Sequence, residues 1–292
     1  RLVVITPAMR EGSGLVDFEK KYPERYFDVG IAEQHAITLA GGMSCGGLKP
    51  IIAIYSTFLQ RAYDQLIHDI VVQDLDILLA IDRAGIVGAD GETHQGIYDI
   101  SFLRILPKIV LMTPSDELEM WKMLSTGQKH KGLAAVRYPR GYSQGEDISL
   151  DHATIEIGKA RIIEKGNKIA YLVFGTLLNT VKKVAKKNGA TLVDMRFVKP
   201  IDEDMIIDIC NTHDYIFTVE DNVTLGGAGT AVNEVMTKYL LKNNLVNIGV
   251  PDKMIPHGSQ DEILSELGLD ALGIEKITND HVDNMVKISS KK

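Results

Sequence analysis

Glu33 occupies a position where an ionisable carboxyl is unexpected. Residues 27–31, FDVGI, alternate like a strand around a glycine, and an apolar run begins at Ala36. A glutamate in the first turn of a surface helix, where the helix dipole favours it, is the preferred interpretation by position alone. The alternative is a buried carboxyl. Because burial disfavours the anion, such a group can share a proton with a ring nitrogen of a heterocyclic cofactor.

The stretch YSTFLQRAYDQ joins a strand pattern, which ends at Tyr55, to a helix pattern. Phe58 falls on the apolar face of that helix, where it either packs in the core or stacks on a planar cofactor ring. Arg61 lies one turn into the helix. It either forms a surface ion pair with Asp64 or Asp69, or it captures a phosphate or carboxylate with its fork of N–H donors.

The densest group of ionisable side chains lies in DRAGIVGADGETHQG, residues 82–96, after a strongly apolar strand pattern. Arg83, Asp90, Glu92 and His94 stand there among four glycines. Glycines after a strand let the backbone approach a ligand closely, although their spacing is not that of a dinucleotide-binding loop. A long solvated loop would contain similar glycines. Four polar groups of mixed charge in one such loop favour a ligand site.

Two further strand ends carry polar or glycine-rich residues. VRYPRG places Arg137 and Arg140 after a strand pattern, where Arg140 could clamp an anion. A basic strand end before a linker would look the same. In the second half, VEDNVTLGGAGTAV at 219–232 leads into a helix whose N-terminus could hold an anion. Tight turns and close strand–helix packing are the preferred interpretation of its glycines.

Composition excludes several classes of protein. The 292 residues are 45% hydrophobic and 24% charged, with a net charge of −7, so neither a nucleic-acid-binding nor a membrane-binding surface is expected. Cys45 and Cys210 fit no disulfide or zinc pattern, and no signal peptide is visible. A reducing, cytoplasmic setting is therefore expected.

The chain begins at Arg1, without methionine, and enters a strand pattern at once, so we expect a piece of a longer polypeptide.

Short apolar strands alternate with helical patterns through both halves, which predicts two α/β domains with mostly parallel sheets flanked by helices. A polar linker at 146–155 would separate a domain at 1–145 from a domain at 156–292. The predicted strands are 2–6, 26–29, 50–55, 76–81, 109–113, 133–137, 168–174, 191–197, 215–220 and 246–250. The predicted helices are 14–21, 33–43, 57–73, 116–129, 177–187, 202–211 and 229–242. Ser259 and Glu262 predict a capping box before a last helical region.

The motifs DVGIAEQH, YSTFLQRAYDQ, DRAGIVGADGETHQG and YPRG, in this order, resemble the transketolase-like family of thiamine diphosphate enzymes. The resemblance covers nearly the whole chain. Residues 1–145 are similar to the pyrimidine-binding domain of that family, and residues 156–292 are similar to its C-terminal domain. EQH at 33–35 and DRAG at 82–85 look more like the branch that forms 1-deoxy-D-xylulose 5-phosphate than like transketolase proper.

The resemblance implies a catalytic role for Glu33. Its carboxyl would contact N1′ of the cofactor aminopyrimidine, favouring the tautomer that takes the proton from thiazolium C2, and Phe58 would stack on the pyrimidine ring. The implied reaction is a transfer in which pyruvate is decarboxylated and condensed with glyceraldehyde 3-phosphate, on the way to isoprenoid precursors, thiamine and pyridoxal. The substrate side would be lined by Tyr55, Arg61, Arg83, Asp90, His94 and Arg140. Asp90 and His94 are candidates for proton transfer and for holding substrate hydroxyls.

The family binds Mg²⁺ and the cofactor diphosphate through an N-terminal domain with a GDG…N pattern, which is absent from these 292 residues. We therefore expect the metal ligands to lie outside this chain. The isolated chain should be inactive and should bind thiamine diphosphate poorly. The resemblance also implies a homodimer in the cytoplasm, or in the plastid if the source is a plant.

Two other interpretations stay open. The chain could be the second subunit of a split transketolase or the β subunit of a 2-oxo acid dehydrogenase, since both combine the same two domains. The EQH and DRAG sequences argue against this interpretation. A non-catalytic assembly module would keep its packing residues and lose its polar ones. Here the polar residues Glu33, Arg83, Asp90, His94 and Arg140 all remain.

Overall fold

The structure is a computed structural model that describes residues 2–141 and 153–289. Most of the expected linker at 146–155 lies outside the described residues. The described chain forms two α/β halves, each built around its own sheet, which confirms the predicted fold class. Within these residues, no helix has the length and apolar character needed to cross a bilayer.

Within residues 2–141 and 153–289, twelve strands form the two sheets. They are β1 (Leu2–Thr6), β2 (Tyr26–Asp28), β3 (Lys49–Tyr55), β4 (Ile77–Asp82), β5 (Val110–Met112), β6 (Leu133–Arg137), β7 (Arg161–Glu164), β8 (Lys168–Phe174), β9 (Thr191–Asp194), β10 (Phe197–Lys199), β11 (His213–Val223) and β12 (Asn244–Val250). The first sheet has the order β10-β5-β6-β4-β3-β1-β2, and the second has the order β12-β11-β8-β9-β7. All neighbours are parallel except the two edge pairs β10–β5 and β7–β9. The mostly parallel arrangement explains why the strand sequences are nearly continuous apolar runs.

Neighbouring strands of the first sheet end level with one another. Tyr55, at the end of β3, pairs with Asp82 at the end of β4, and Ile81 pairs with Arg137 at the end of β6. Because these strands are parallel, their carboxyl ends share one edge of the sheet. The motifs that follow β3, β4 and β6 are therefore brought to the same edge, where α/β sheets usually bind ligands.

Helices cover the faces of both sheets. They are α1 (Val16–Lys21), α2 (Glu33–Cys45), α3 (Ser56–Leu59), α4 (Tyr63–Gln65), α5 (Asp99–Leu103), α6 (Glu117–Lys129), α7 (Leu178–Asn188), α8 (Glu203–Thr212), α9 (Ala228–Lys238), α10 (Gln260–Glu266) and α11 (Ala271–Ser289). The capping box predicted before α10 is present. Ser259 Oγ accepts from the Glu262 N–H, and the Glu262 carboxylate accepts from the Ser259 N–H.

The helix predicted at 57–73 is less regular than its sequence suggested. Between α3 and α4 the segment Gln60–Ala62 forms a 3₁₀ turn, and Leu66–Val71 winds as a π-helix. Such departures from α-helical winding re-aim side chains and are frequent at functional sites. Here the 3₁₀ turn carries Arg61.

Two strands of the second half differ from the sequence prediction. The strand predicted at 191–197 breaks at Arg196, whose φ is +59°, and β10 crosses to pair antiparallel with β5 in the first sheet. The edge strand β7 was not predicted, because its residues alternate weakly and are only partly buried. Thus a segment within the range expected for the second domain completes the sheet of the first.

The strands that carry the polar edge residues rest on a tightly packed core. Every residue of β4 is buried. Ile37 of α2, together with Leu66 and Ile70, is fully buried in the same apolar cluster. Burial of each such side chain contributes about 1.5–3 kcal/mol, which holds the strand ends in place.

Candidate active site

Glu33 is the first residue of α2, and its side chain is only 3% exposed. The chain enters the helix through a turn at Gly30, where φ is +67° and whose N–H donates to the Asp28 carboxylate at 2.9 Å. The positive φ suits glycine, which has no Cβ to clash. The structure therefore favours the buried carboxyl over the surface helix terminus. Its catalytic role stays a prediction.

Arg61 pairs with Glu33 rather than with Asp64 or Asp69, the partners suggested by the sequence. Its Nη1 lies 3.3 Å from Oε1 and 3.5 Å from Oε2 of Glu33. Its guanidinium also lies over the ring of Phe58, 5.5 Å from the centroid, in a cation–π arrangement. The Arg61 side chain is 54% exposed, so it contacts the buried carboxyl on one side and solvent on the other.

Phe58 links Arg61 to the other predicted site residues. Its ring is nearly parallel to that of Tyr55, with centroids 5.9 Å apart, and meets the ring of His94 edge-on at 5.3 Å. The Nδ1 atom of His94 lies 2.9 Å from the hydroxyl of Thr93. The aromatic rings therefore form one continuous group along the edge of the sheet.

A cleft of about 320 Å³ opens beside these rings. It is lined by Tyr55, Arg83, Asp90, His94 and Arg140. The Asp90 and Arg140 side chains, 50 residues apart in sequence, form an ion pair across it. The structure thus brings together the residues predicted to line the substrate side, with Arg61 at the neighbouring Glu33. Their contacts with substrate stay a prediction.

Arg83 is held by several contacts at once. Its guanidinium stacks over the Tyr55 ring, 4.1 Å from the centroid, and its Nη1 donates to the Asp82 carboxylate at 2.5 Å and to the Gly12 carbonyl at 2.8 Å. The buried Nε–H has no hydrogen-bond partner among the described residues. Burial raises the pKa of the Tyr55 hydroxyl, with Arg83 opposing this effect, so the phenol stays protonated and can donate a hydrogen bond.

Gly12 is a site neighbour that the sequence interpretation missed. A β-carbon at this position would overlap the Tyr55 hydroxyl and would lie 3.2 Å from Nη2 of Arg83. Close approach of this backbone to the cleft therefore requires glycine. The sequence showed only that Gly12 lies in the polar segment REGSG after β1. No charge pattern there distinguishes a glycine at a ligand site from a glycine in an ordinary turn.

Arg137 has a different role from Arg140, although the two are three residues apart. Its fully buried guanidinium donates to Asp99 at 2.9 Å and to Asp221 of the second half, and also to the Gly96 carbonyl at 3.3 Å. A buried cation of this kind must be paired to be tolerated. Arg137 is therefore part of the contact between the two halves and does not line the cleft.

The helix terminus in the glycine-rich stretch 219–232 is occupied by the protein itself. Oε2 and Oε1 of Glu220 accept hydrogen bonds from the N–H groups of Ala228 and Gly229 at 2.7 and 2.8 Å. Burial raises the pKa of Glu220 to about 8, although these two N–H groups oppose the effect. A β-carbon at Gly227 would overlap the Glu220 carboxyl. The preferred interpretation of this stretch, close strand–helix packing, is the one the structure supports.

The residues around Glu33 have the chemistry that an aminopyrimidine requires. Among the described residues, the hydrogen bonds of the buried Glu33 carboxyl are two long ones to Arg61, of 3.3 and 3.5 Å, so its oxygens retain capacity for a ring nitrogen. Phe58 offers an aromatic ring beneath the guanidinium of Arg61. Among the described residues, no group of three or more His, Cys, Asp or Glu side chains is arranged to hold a metal ion.

Comparison with protein families gives two adjacent matches. The model of the transketolase pyrimidine-binding domain matches residues 1–144, and that of the transketolase C-terminal domain matches residues 158–274. The chain is 56% identical to the 1-deoxy-D-xylulose-5-phosphate synthase of Vibrio campbellii over 97% of this chain and 45% of that protein. It is 57% identical to the enzyme of the same name from Pseudomonas entomophila over 94% of this chain and 44% of that protein. The chain therefore spans less than half the length of these relatives.

Solved structures show the same arrangement of domains. A chain of a split-gene transketolase, described as an inactive β4 tetramer, superimposes with a TM-score of 0.84 at 25% identity, covering 96% of this chain and 91% of that one. Transketolase from Campylobacter jejuni superimposes with a TM-score of 0.75 at 15% identity over 96% of this chain and 43% of that one, a likeness in fold alone. From its two matched domains and its close relatives, the chain belongs to the transketolase family, of which it contains the pyrimidine-binding and C-terminal domains.

Proposed function

We propose that this chain forms part of a thiamine diphosphate-dependent transferase that condenses pyruvate with glyceraldehyde 3-phosphate to give 1-deoxy-D-xylulose 5-phosphate. The observation that carries the proposal is the buried Glu33 carboxyl paired with Arg61. The Arg61 guanidinium lies over the Phe58 ring, which contacts His94 of the cleft that contains Arg83 and Arg140. The names of the relatives with 56–57% identity support the same reaction.

In this function Glu33 and Phe58 hold the cofactor's aminopyrimidine. Thiamine diphosphate, when bound, supplies a carbon nucleophile and an electron sink for decarboxylating a 2-oxo acid. The Glu33 carboxyl forms a hydrogen bond with N1′ of the ring, and because it is sheltered from water, that hydrogen bond is stronger than it would be at the surface. Phe58 packs against the ring and orients it.

The cleft residues bind the two substrates. Pyruvate brings a carboxylate and glyceraldehyde 3-phosphate brings a phosphate, and arginine guanidinium groups match both anions with paired N–H donors. Arg83, Arg140 and the more exposed Arg61 supply such donors. Asp90 and His94 hold the hydroxyl of the aldehyde substrate and transfer protons as its carbonyl becomes an alcohol.

The complete enzyme needs groups that this chain lacks in its described part. We propose that Mg²⁺ and the cofactor diphosphate are bound by another domain of the same protein, and that the complete protein is a cytoplasmic homodimer, or a plastid one in a plant. Calorimetry of the 292-residue chain with thiamine diphosphate and Mg²⁺ tests the first point. We expect weak or undetectable binding, and tight binding by the chain alone would contradict the proposal.

The substrate assignment is tested in the complete enzyme by offering two substrate pairs. Pyruvate with glyceraldehyde 3-phosphate should release CO₂ and form 1-deoxy-D-xylulose 5-phosphate. A ketose phosphate donor with an aldose phosphate acceptor should give little turnover. The reverse preference would show a transketolase reaction and overturn the assignment.

A second candidate function is the second subunit of a split transketolase. It is favoured by the split-gene transketolase chain, of which this chain covers 91% with a TM-score of 0.84. In that case the cofactor-binding partner would be a separate polypeptide, and the ketose–aldose pair would be the productive one. The same two-pair assay therefore separates the candidates.

A further inference from the structure

The loop of residues 83–97, called the cleft loop below, carries Arg83, Asp90 and His94 of the cleft. Inside the loop, Gly85 and Gly96 exchange backbone hydrogen bonds of 2.6 and 2.9 Å. Apart from short turns and the contact between the Thr93 hydroxyl and Nδ1 of His94, the tip is supported from within by the Val87 N–H, which donates to Oε1 of Gln95 at 3.0 Å. These bonds close the base of the loop but leave the path of residues 86–94 weakly determined from within.

The C-terminal domain packs against the base of the cleft loop through Asp221. Its carboxyl lies so close to Gly85 that a β-carbon there would overlap it. The same carboxyl pairs with Arg137, which donates to Asp99 and to the Gly96 carbonyl. Asp221 therefore contacts Gly85 at the loop base directly, and it reaches Gly96, the residue paired with Gly85, through Arg137.

A second contact lies towards the tip of the loop. Nε2 of Gln260, at the start of α10, donates to the Ile86 carbonyl at 2.7 Å. At Gly88, where φ is +66°, a β-carbon would lie 2.6 Å from the backbone nitrogen of Gln260 and 2.9 Å from the Gly258 carbonyl oxygen. The capping box of Ser259 and Glu262 stabilises the first turn of α10, where the loop meets it.

The exit from the loop is also tied to the C-terminal domain. The Val223 N–H donates to the Ile97 carbonyl at 2.9 Å. Oδ1 of Asn222 accepts from the Ile100 N–H at 3.2 Å, and its Nδ2 donates to Ser101 Oγ at 3.0 Å. The C-terminal end of β11 thus supports the cleft loop from its base to the start of α5.

We propose that the C-terminal domain sets the conformation of the cleft loop, with Asp221 and Gln260 as positioning residues for Arg83, Asp90 and His94. Neither residue lines the cleft. Both act through backbone groups of the loop or through Arg137, so their effect is on geometry rather than on charge at the substrate. The inference rests on the proposed function only where it concerns turnover.

Hydrogen–deuterium exchange on the 292-residue chain tests the positioning without any assumption about the reaction. In Gln260→Ala, loss of the hydrogen bond to Ile86 should speed exchange across 86–94 by about tenfold, the equivalent of one net hydrogen bond. Gln73→Ala is the matched control. Its Nε2 donates to the Asp69 carbonyl at 2.9 Å on the exposed surface, so cleft-loop exchange should not change. Unchanged exchange rates across 86–94 in Gln260→Ala would overturn the inference.

A glycine pair gives an independent variant. Gly88→Ala combines a positive φ with a clash against α10, whereas Gly189→Ala has a similar φ of +61° and nothing within 4 Å of its β-carbon. Both variants should lose stability through backbone strain. Only Gly88→Ala should speed exchange in the cleft loop, and equal effects on the loop would contradict the proposal.

Kinetics in the complete enzyme then separate positioning from general instability. For Gln260→Ala we expect kcat/KM for glyceraldehyde 3-phosphate to fall about tenfold, while the affinity for thiamine diphosphate at Glu33 and Phe58 stays within about twofold. Gln260→Lys, which keeps a nitrogen donor, should recover part of the loss. Faster loop exchange with unchanged kcat/KM would overturn the positioning role. A different productive substrate would instead count against the proposed function and would leave the exchange result standing.

Discussion

The carboxylate of Glu33 and the guanidinium of Arg61 face each other across 3.3 Å, between Nη1 and Oε1, although 28 residues separate them in the sequence. The Glu33 side chain is 3% exposed and the Arg61 side chain 54% exposed. Water therefore screens the cation far more than the carboxylate. Among the described residues, Arg61 is the cation that pairs with Glu33, and its guanidinium lies on the solvent-exposed side of the carboxylate.

A double-mutant cycle measures this pair in the 292-residue chain. Glu33→Gln and Arg61→Met should each change the free energy of unfolding, and the two changes should fail to add by about 1 kcal/mol, as in a partly exposed ion pair. Urea denaturation of the wild type, both single variants and the double variant gives the coupling. Additive effects would show that the contact contributes nothing measurable.

Arg140→Gln should weaken binding of an anionic substrate in the complete enzyme. Hydrogen bonds to charged groups contribute about 1.5–3 kcal/mol, so the KM for glyceraldehyde 3-phosphate should rise about tenfold or more. Stability should change little, because the Arg140 side chain is 49% exposed and its pair with Asp90 lies at the cleft surface. Arg25→Gln, an exposed arginine paired with Glu24, is the control. Equal KM values for both variants would remove Arg140 from the substrate site.

Gly12→Ala should disturb the cleft without unfolding the protein. The new β-carbon would overlap the Tyr55 hydroxyl, so Tyr55 or Arg83 must move, and kcat/KM should fall by about 10–100-fold. Gly42→Ala is the control, because this helical glycine of α2 has nothing within 4 Å of its β-carbon. It should stabilise the chain by about 0.5–1 kcal/mol and leave turnover unchanged. Undisturbed kinetics in Gly12→Ala would show that the backbone approach at this position has no role in the cleft.

Glu220 predicts a specific dependence of stability on pH. Burial raises its pKa from the ordinary 4.5 to about 8, so the folded state keeps a proton that the unfolded chain releases. The stability from this group is therefore complete below the unfolded pKa and is lost as pH rises to about 8. Relative to Glu220→Gln, the wild type should lose on the order of a few kcal/mol between pH 5 and pH 8. Urea denaturation at both pH values checks this, and a constant difference would contradict it.

The sequence predicted the first half of the fold well, because its strands are buried on both faces and read as apolar runs. Leu2–Thr6 and Leu133–Arg137 were predicted with their observed limits. The strand predicted at 191–197 failed at Arg196, because apolar residues continue through the break and local hydrophobicity cannot show a change of sheet. That crossing depends on pairing with β5, which is a tertiary interaction.

The sequence could predict which residues the fold brings together at the cleft, but not the contacts among them. Motif resemblance supplied Glu33, Phe58, Arg83 and the other cleft residues. It did not supply the pairing of Glu33 with Arg61, since the local partners of Arg61 in sequence were Asp64 and Asp69. Nor could it distinguish Arg137 from Arg140, because only the fold shows which of the two side chains is buried. Long-range pairing and burial are properties of the folded chain.

The most direct test of the account is the rate at which the C2 proton of bound thiamine diphosphate exchanges with deuterium in the complete enzyme. If the Glu33 carboxyl controls the proton on the aminopyrimidine, Glu33→Gln should slow this exchange by about 10²–10⁴-fold while the cofactor still binds and the protein stays folded. Glu24→Gln, an exposed glutamate paired with Arg25, should exchange at the wild-type rate. Wild-type exchange in a folded, cofactor-loaded Glu33→Gln variant would contradict the central claim.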